Sequence, residues 1–385
     1  MRKKAKKATK AATKKATPAR KADTKAKLAT QLEVMTQAHA HFSGGKHADR
    51  LVVMDALDNT VPGFVSTQSL ALDWVTGNGG LPQSRVIDIT SDEGGGKSTI
   101  ADHVMAEVQR LGGHAYLWDT ENARDVHYQK KIGIKRSRAG QIVCHTMEDG
   151  FEFMIDLISW HNEHDPTRPG VIVWDTPAAT PTRNEADPEK TNERFGPAKI
   201  IRGQLRTLNQ QLQQGRWMLF VVNQTYMGTS PGGQSFKAAY GGGGIPYYSS
   251  CRLQISHPSK FWRTTAEKEL GLPPVGQTAW VKCIKNRVSP PWRSKQICIH
   301  FGEGISNGFE IFHTLLGAGC ITSKSGWCRF DPAFDEKLAE MLPGAFQASA
   351  TQGGHIPFEQ TVRQIPGMWE RLIDVYSEVM KGMSQ

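Results

Sequence analysis

"RVIDITSDEGGGKSTI", residues 85–100, is the stretch whose reading decides the fold. Arg85–Thr90 reads as a strand, and three glycines, Gly94, Gly95 and Gly96, follow it. A helix is expected from Ser98 to about Leu111, stopped by Gly112 and Gly113. A small-residue loop between a strand and a helix N-terminus lets backbone N–H groups converge on a phosphate. Lys97 supplies the charge that neutralises β- and γ-phosphates, and Ser98, or its neighbour Thr99, supplies a hydroxyl for Mg²⁺. Gly96, Lys97 and Ser98 fit the end of G-x-x-x-x-G-K-[ST], but Ser91 stands where the first glycine belongs. The expectation is a working site with some strain at Ser91. Its nucleotide contacts would be Ser91, Asp92, Glu93, Gly94, Gly95, Gly96, Lys97, Ser98 and Thr99.

Outward from this loop the pattern alternates. Strands are expected at "HAYLWDTE" (114–121), "GVIVWDT" (170–176) and "WMLFVVNQ" (217–224), with helices near 98–111, 147–162 and 198–214. This alternation predicts a parallel α/β sheet with right-handed crossovers and ligands at the carboxyl ends of the strands. Three polar residues close those strands. Asp175 is placed to hold a Mg²⁺ water shell or to cap a turn. Glu121 is the candidate general base, or a surface carboxylate in a turn. Gln224 is placed to sense a γ-phosphate. It precedes "YMGTSPGGQSFKAAYGGGGIPYY" (226–248), which reads as a long loop, functional or disordered. Strand-like segments follow at 250–256, 279–285 and 295–301. Residues 308–385 read as a small αβ unit closing with the helix "MWERLIDVYSEVM".

Composition limits the function classes. No apolar run approaches the roughly 18 residues of a membrane span, so no membrane partner is expected. The six cysteines contain no C-x-x-C pair and indicate neither a zinc site nor a disulfide framework; they read as reduced thiols of a cytosolic protein. Twelve of the Lys and Arg residues, against one Asp, lie in residues 1–30, so the net charge of +10 belongs to the tail. Residues 1–27 carry no aromatic side chain and should be disordered. Such a tail attracts nucleic-acid phosphates, or serves as a solubilising or targeting tail. Leu28, Leu32 and Met35 then recur at helical spacing.

From about residue 66 to 330 the sequence resembles the RecA family of strand-exchange recombinases. "SDEGGGKSTI", "DTENARDVHYQKKIGI", "VIVWDT", "FVVNQ" and "VKCIKNRVSPPWR" carry the resemblance. It implies a RecA-like P-loop ATPase core (66–305) with a mainly parallel central sheet. An N-terminal helix/strand polymerisation arm (28–65) and a small C-terminal αβ domain (306–385) would flank it. Glu121 would be the base, with Lys97 and Gln224 beside it. Asp125 would accept from the adenine amine, and Tyr128 would stack on the ring. Ser98 and Asp175 would hold the metal. Lys285 and Arg287 would reach a neighbouring subunit's ATP. DNA loops would lie near 180–197 and 225–246, with Lys199, Arg206, Met227, Phe236 and Lys237 as contacts. Tyr247 stands where the family has an interfacial phenylalanine, and Pro246 where it has a lysine.

The resemblance implies ATP and Mg²⁺ as cofactors. It implies single-stranded and homologous double-stranded DNA as partners, and self-assembly into a helical filament. The location would be the bacterial cytoplasm or nucleoid, and the departures point to a divergent member of the kind a phage could encode. Two other readings stay open: a RecA-fold ring motor such as a hexameric helicase, and a DNA-coating protein with a vestigial nucleotide site.

Overall fold

The computed structural model describes residues 36–37, 61–187, 189, 196–229, 235–347 and 354–383. The chain divides into two units, Met1–Thr60 and Val61–Gln385. Of the first, Thr36 and Gln37 are described, and they are helical. The expected tail, and the expected arm apart from 36–37 and 61–65, lie outside the described residues.

In the second unit, β1 (Phe64–Val65) pairs with β2 (Leu81–Pro82), flanking α1 (Leu70–Thr76). The alternating core follows: β3 (Val86–Ser91), α2 (Lys97–Arg110), β4 (His114–Asp119), α3 (Val126–Ile132), β5 (Ala139–Gln141), α4 (Met147–His164), β6 (Gly170–Asp175), α5 (Arg183–Ala186), α6 (Pro197–Gln213) and β7 (Trp217–Thr229). After it come β8 (Ser235–Ala239), α7 (Gly244–Tyr248), β9 (Ser249–Phe261), α8 (Thr265–Glu269), β10 (Gly276–Asn286), β11 (Ser294–His300) and β12 (Gly304–Ile305). The strands form one ten-stranded sheet in the order β12-β11-β10-β9-β3-β7-β6-β4-β5, with β8 paired to β7. From β9 to β5 every pairing is parallel, and β10, β11 and β12 extend that edge antiparallel.

The continuous apolar run of β6 has a simple cause. Successive side chains of a strand point to opposite faces, and both faces here are covered. Val171 and Val173 join one core with Ile100 and Val104 of α2, while Ile172 and Trp174 join the other with Phe151 of α4 and Leu205 of α6. On the second face Trp118 stacks on Trp174 with ring centroids 5.1 Å apart, and Trp118 Nε1 donates to Cys144 O at 3.2 Å. Gly150 of α4 lies against that ring, where a Cβ would overlap the Trp118 indole. Alanine gains up to about 1 kcal/mol of helix propensity over glycine, but overpacking a fixed ring costs about 1–3 kcal/mol. Gly150→Ala is therefore expected to lower the thermal midpoint by a few degrees. An unchanged or raised midpoint would contradict this packing.

The Gly-rich segment corrects its sequence reading. β7 continues past Gln224 to Thr229 and pairs with β8 in register Thr225↔Ala239 to Thr229↔Ser235, and α7 then follows. A ladder is built from backbone groups, so glycine and serine can carry it without apolar alternation. The region near 180–197 likewise contains α5, opened by a capping box between Thr182 and Glu185. Residues 188 and 190–195 lie outside the described residues.

The C-terminal part adds α9 (Asn307–Gly317), β13 (Ile321–Lys324), β14 (Trp327–Phe330), α10 (Glu336–Met341), β15 (Phe346–Gln347), α11 (His355–Arg363) and α12 (Met368–Gly382). These elements share a core that includes Phe312, Phe358 and Leu372. Buried Glu310 ties the part to α1, accepting from Ser69 Oγ at 2.6 Å and Ala71 N at 2.9 Å.

Candidate active site and nucleic-acid interface

Ser91 is the last residue of β3, in register with Gln224. Among the described residues it is absent from those with positive φ, whereas Gly94 and Gly96 have φ of 70° and 89°. The serine therefore meets no left-handed penalty, which removes the expected strain. Its cost is met elsewhere: a Cβ at Gly95 would run into Ser91 Oγ, so glycine at 95 makes room for the serine. The hydroxyl is also used. Lys97 Nζ donates to Ser91 Oγ at 2.9 Å and to Asp92 O at 3.0 Å. Burial lowers the Lys97 pKa, and the nearby Asp175 and Glu121 carboxylates raise it part of the way back.

The other strand ends converge on this loop. Ser98 Oγ donates to Asp175 Oδ2 at 2.9 Å. Gln224 Nε2 donates to Glu121 Oε1 at 2.7 Å, and Thr225 Oγ1 donates to Asp92 Oδ1 at 2.9 Å. Two consecutive residues of β7 thus touch the candidate base and the phosphate loop, and the second of them, Thr225, begins the β7–β8 ladder. Burial, then the Asp175 charge, raises the Glu121 pKa above the ordinary carboxylate value. The hydroxyl–carboxylate pair suits Mg²⁺, and the loop of left-handed glycines over Lys97 suits a polyphosphate. Asp125 caps α3, accepting from His127 N at 2.7 Å. Tyr128 OH donates to Thr99 Oγ1 at 3.3 Å. Glu93, in the phosphate loop, is exposed.

Several contacts were not read from the sequence. Arg124, whose side chain is 8% exposed, donates to Asp175 Oδ2 at 2.6 Å, to Ser98 O at 2.8 Å and to Asp102 Oδ1. Burial opposes its charge, but Asp102 and Asp175 outweigh burial and raise its pKa. A usable signal was Asp102 itself, an acid on a buried helix that needs a partner. On the β11 side, Gln277 Nε2 donates to Gly94 O at 2.9 Å, and Ile299 Cδ1 lies where a Gly96 Cβ would be.

Lys285 and Arg287 are not part of this cluster. Lys285 pairs with Arg252, which pairs with Asp88, and Arg287 N donates to Ser250 O. This is the end of β3 where the strand begins, opposite the phosphate loop. Lys285 Nζ donates to Pro246 O at 2.7 Å and Tyr247 O at 3.0 Å, and Arg287 Nη2 also donates to Tyr247 O, at 3.0 Å. Burial, with Arg287 and Arg252 alongside, lowers the Lys285 pKa to about 8. Arg85 is depressed by burial and by Arg287. Tyr247 is exposed and packs edge-on to Tyr248. Lys199 and Arg206 are exposed on α6. A cavity of about 890 Å³ opens between the two expected DNA loops, lined by Glu185, Pro197, Tyr226 and Tyr240. Met227 and Lys237 face each other across the hairpin ladder, and Phe236 pairs with Gly228; their side chains lie outside the described residues.

A model of the RecA N-terminal domain matches residues 35–306. The chain belongs to the RecA family. Protein RecA of Methylobacterium sp. (strain 4-46) is 30% identical over 308 residues, covering 79% of this chain and 80% of that protein. Protein RecA of Delftia acidovorans is 32% identical over 309 residues, covering 79% of each chain. Protein RecA of Allochromatium vinosum is 31% identical over 268 residues, covering 69% and 74%. The RecA-like α/β fold expected from the sequence is the fold observed, with its mostly parallel central sheet. As a RecA-family member the chain falls among proteins of recombination and repair that bind ATP and DNA. No helix among the described residues is long and apolar enough to cross a membrane.

Proposed function

We propose that this RecA-family protein is a DNA-dependent ATPase that polymerises on single-stranded DNA and promotes pairing and strand exchange with a homologous duplex. ATP would be held between neighbouring subunits. One observation carries the intersubunit reading: Arg85, Arg252, Lys285 and Arg287 gather at the sheet end remote from their own phosphate loop, where Asp88 is the carboxylate paired among them. Besides burial, the Arg287 charge depresses the pKa of both Arg85 and Lys285, and like charges gathered in this way favour an anionic partner. Strand register sets them beside the beginning of β3, away from the loop of their own Lys97, so a neighbour's triphosphate is the fitting partner.

In this reading Glu121 Oε takes the proton from a water attacking the γ-phosphorus, while Gln224 holds Glu121 in place. Lys97 and the loop N–H groups stabilise charge on the phosphoryl oxygens. Ser98 and Asp175 would hold Mg²⁺, which supplies further charge neutralisation. Lys285 and Arg287 complete the site from the next subunit, and Tyr247, bound to both, links the site to the hairpin. Lys199, Arg206, Met227, Phe236 and Lys237 are the proposed DNA contacts.

Electron microscopy with single-stranded DNA and a slowly hydrolysed ATP analogue is expected to reveal helical filaments. Closed rings would favour the motor reading instead. Mixing tests the shared site. Lys97→Ala and the double variant Lys285→Ala/Arg287→Ala should each be inactive, yet regain turnover together, because mixed interfaces restore one complete site. No recovery from co-assembled variants would remove Lys285 and Arg287 from the neighbour's site.

A further inference from the structure

Strand β11, between β10 and the short edge strand β12, presents Cys298 and His300 on one face, since residues two apart along a strand share a face. Helix α11 opens with His355 against that face. The Cys298 thiol and the two imidazoles bring ligand atoms within 4.8 Å of one another. His300 Nε2 and His355 Nε2 are 2.9 Å apart. Cys298 and His355 are fully buried. Phe261 and Phe309 wall the cluster, with His355 ring centroids 5.7 and 5.1 Å from theirs. His300 also borders a cavity of about 1240 Å³, lined in part by Glu303, Ile356 and Glu359.

We infer that Cys298, His300 and His355 bind a zinc ion that fastens helix α11 to strand β11. Two imidazole nitrogens and a thiolate are the donor set of zinc, which takes tetrahedral N and S ligands. Zn–N bonds of about 2.0–2.1 Å set tetrahedral nitrogens roughly 3.3 Å apart, so the histidines need to part by only a few tenths of an ångström. Glu303 Oε2 lies 3.5 Å from His300 Nδ1. A carboxylate on the far nitrogen orients the imidazole and raises its basicity as a ligand. Three protein ligands leave a fourth position for water or another donor. The ligands at 298, 300 and 355 are too dispersed for a C-x-x-C-type signature, which is why cysteine spacing gave no sign of them. Ile299, between the first two, is the residue that meets Gly96 of the phosphate loop. The ion would therefore also fix the strand that flanks the nucleotide site.

The test uses the full chain, stripped with chelator and titrated with Co²⁺. One equivalent should bind, giving tetrahedral d–d bands and a sulfur-to-cobalt charge-transfer absorption that Zn²⁺ abolishes. Cys298→Ala should lose the charge-transfer band, and His355→Ala should lose stoichiometric binding. Glu303 is exposed, so Glu303→Gln leaves the fold intact, and it should weaken the metal roughly 10- to 100-fold. Chelation should lower the thermal midpoint of the parent and leave Cys298→Ala unmoved. Absence of stoichiometric uptake, with a midpoint indifferent to chelator, would mean a simple hydrogen-bonded histidine pair and overturn the proposal. So would uptake that persists unchanged in Cys298→Ala and Glu303→Gln.

Discussion

Glu121→Gln is expected to bind ATP and DNA as the parent does while turnover falls about 10²–10⁴-fold, the usual contribution of a positioned general base. The amide keeps the size of the carboxylate, so Gln224 can still bond its carbonyl oxygen. It cannot accept the water's proton. The pH dependence gives a second readout. The Glu121 pKa is raised, chiefly by burial and then by Asp175, and the base must be ionised to act. Turnover of the parent should thus decline as pH falls through a value above that of an ordinary glutamate, and the residual turnover of the variant should lack this limb. Steady-state hydrolysis with and without single-stranded DNA, measured beside nucleotide affinity, checks both points. Normal DNA-stimulated turnover in Glu121→Gln would reassign the base.

Arg124→Leu is expected to destabilise the fold by about 3–5 kcal/mol, the cost of leaving buried charge without its partner. Asp102 and Asp175 have side chains only 3% and 6% exposed, and Arg124 bonds both. Leucine removes the cation and leaves two carboxylates close together in a desolvated site. Replacing the whole pair should recover much of the loss, because apolar side chains of similar volume often substitute for a buried ion pair at little cost. Arg124→Leu/Asp102→Leu should therefore be more stable than Arg124→Leu alone. Asp175 would still lack its tether, so recovery should be incomplete. Denaturant unfolding of the parent, both single variants and the double variant closes the cycle. A loss below about 1 kcal/mol for Arg124→Leu would mean that water, not the guanidinium, satisfies these carboxylates.

The nucleotide site was legible to a useful depth because its parts are strand ends. In a parallel sheet all carboxyl ends lie on one edge. Identifying four strands therefore brought Ser91, Glu121, Asp175 and Gln224 together before any distance was known. The 2.7 Å bond from Gln224 to Glu121 and the 2.9 Å bond from Ser98 to Asp175 agree with that placement. The 226–248 stretch was less legible, since a backbone ladder through glycine and serine leaves no periodic side-chain trace.

What the sequence determined by itself is the local and periodic part: the strand–loop–helix around Lys97, the doubly buried strands, and the polar residues that end them. These depend on spacings of a few residues, which backbone geometry turns directly into facing. The tertiary structure decided the rest. It placed Gly95 to make room for Ser91, set Arg124 between Asp102 and Asp175, and carried Lys285 and Arg287 to the end of the sheet away from their own phosphate loop. It also brought His355 across 55 positions to His300. Each of these depends on two segments meeting in space, and which segments meet is set by packing of the whole core rather than by any local run of residues.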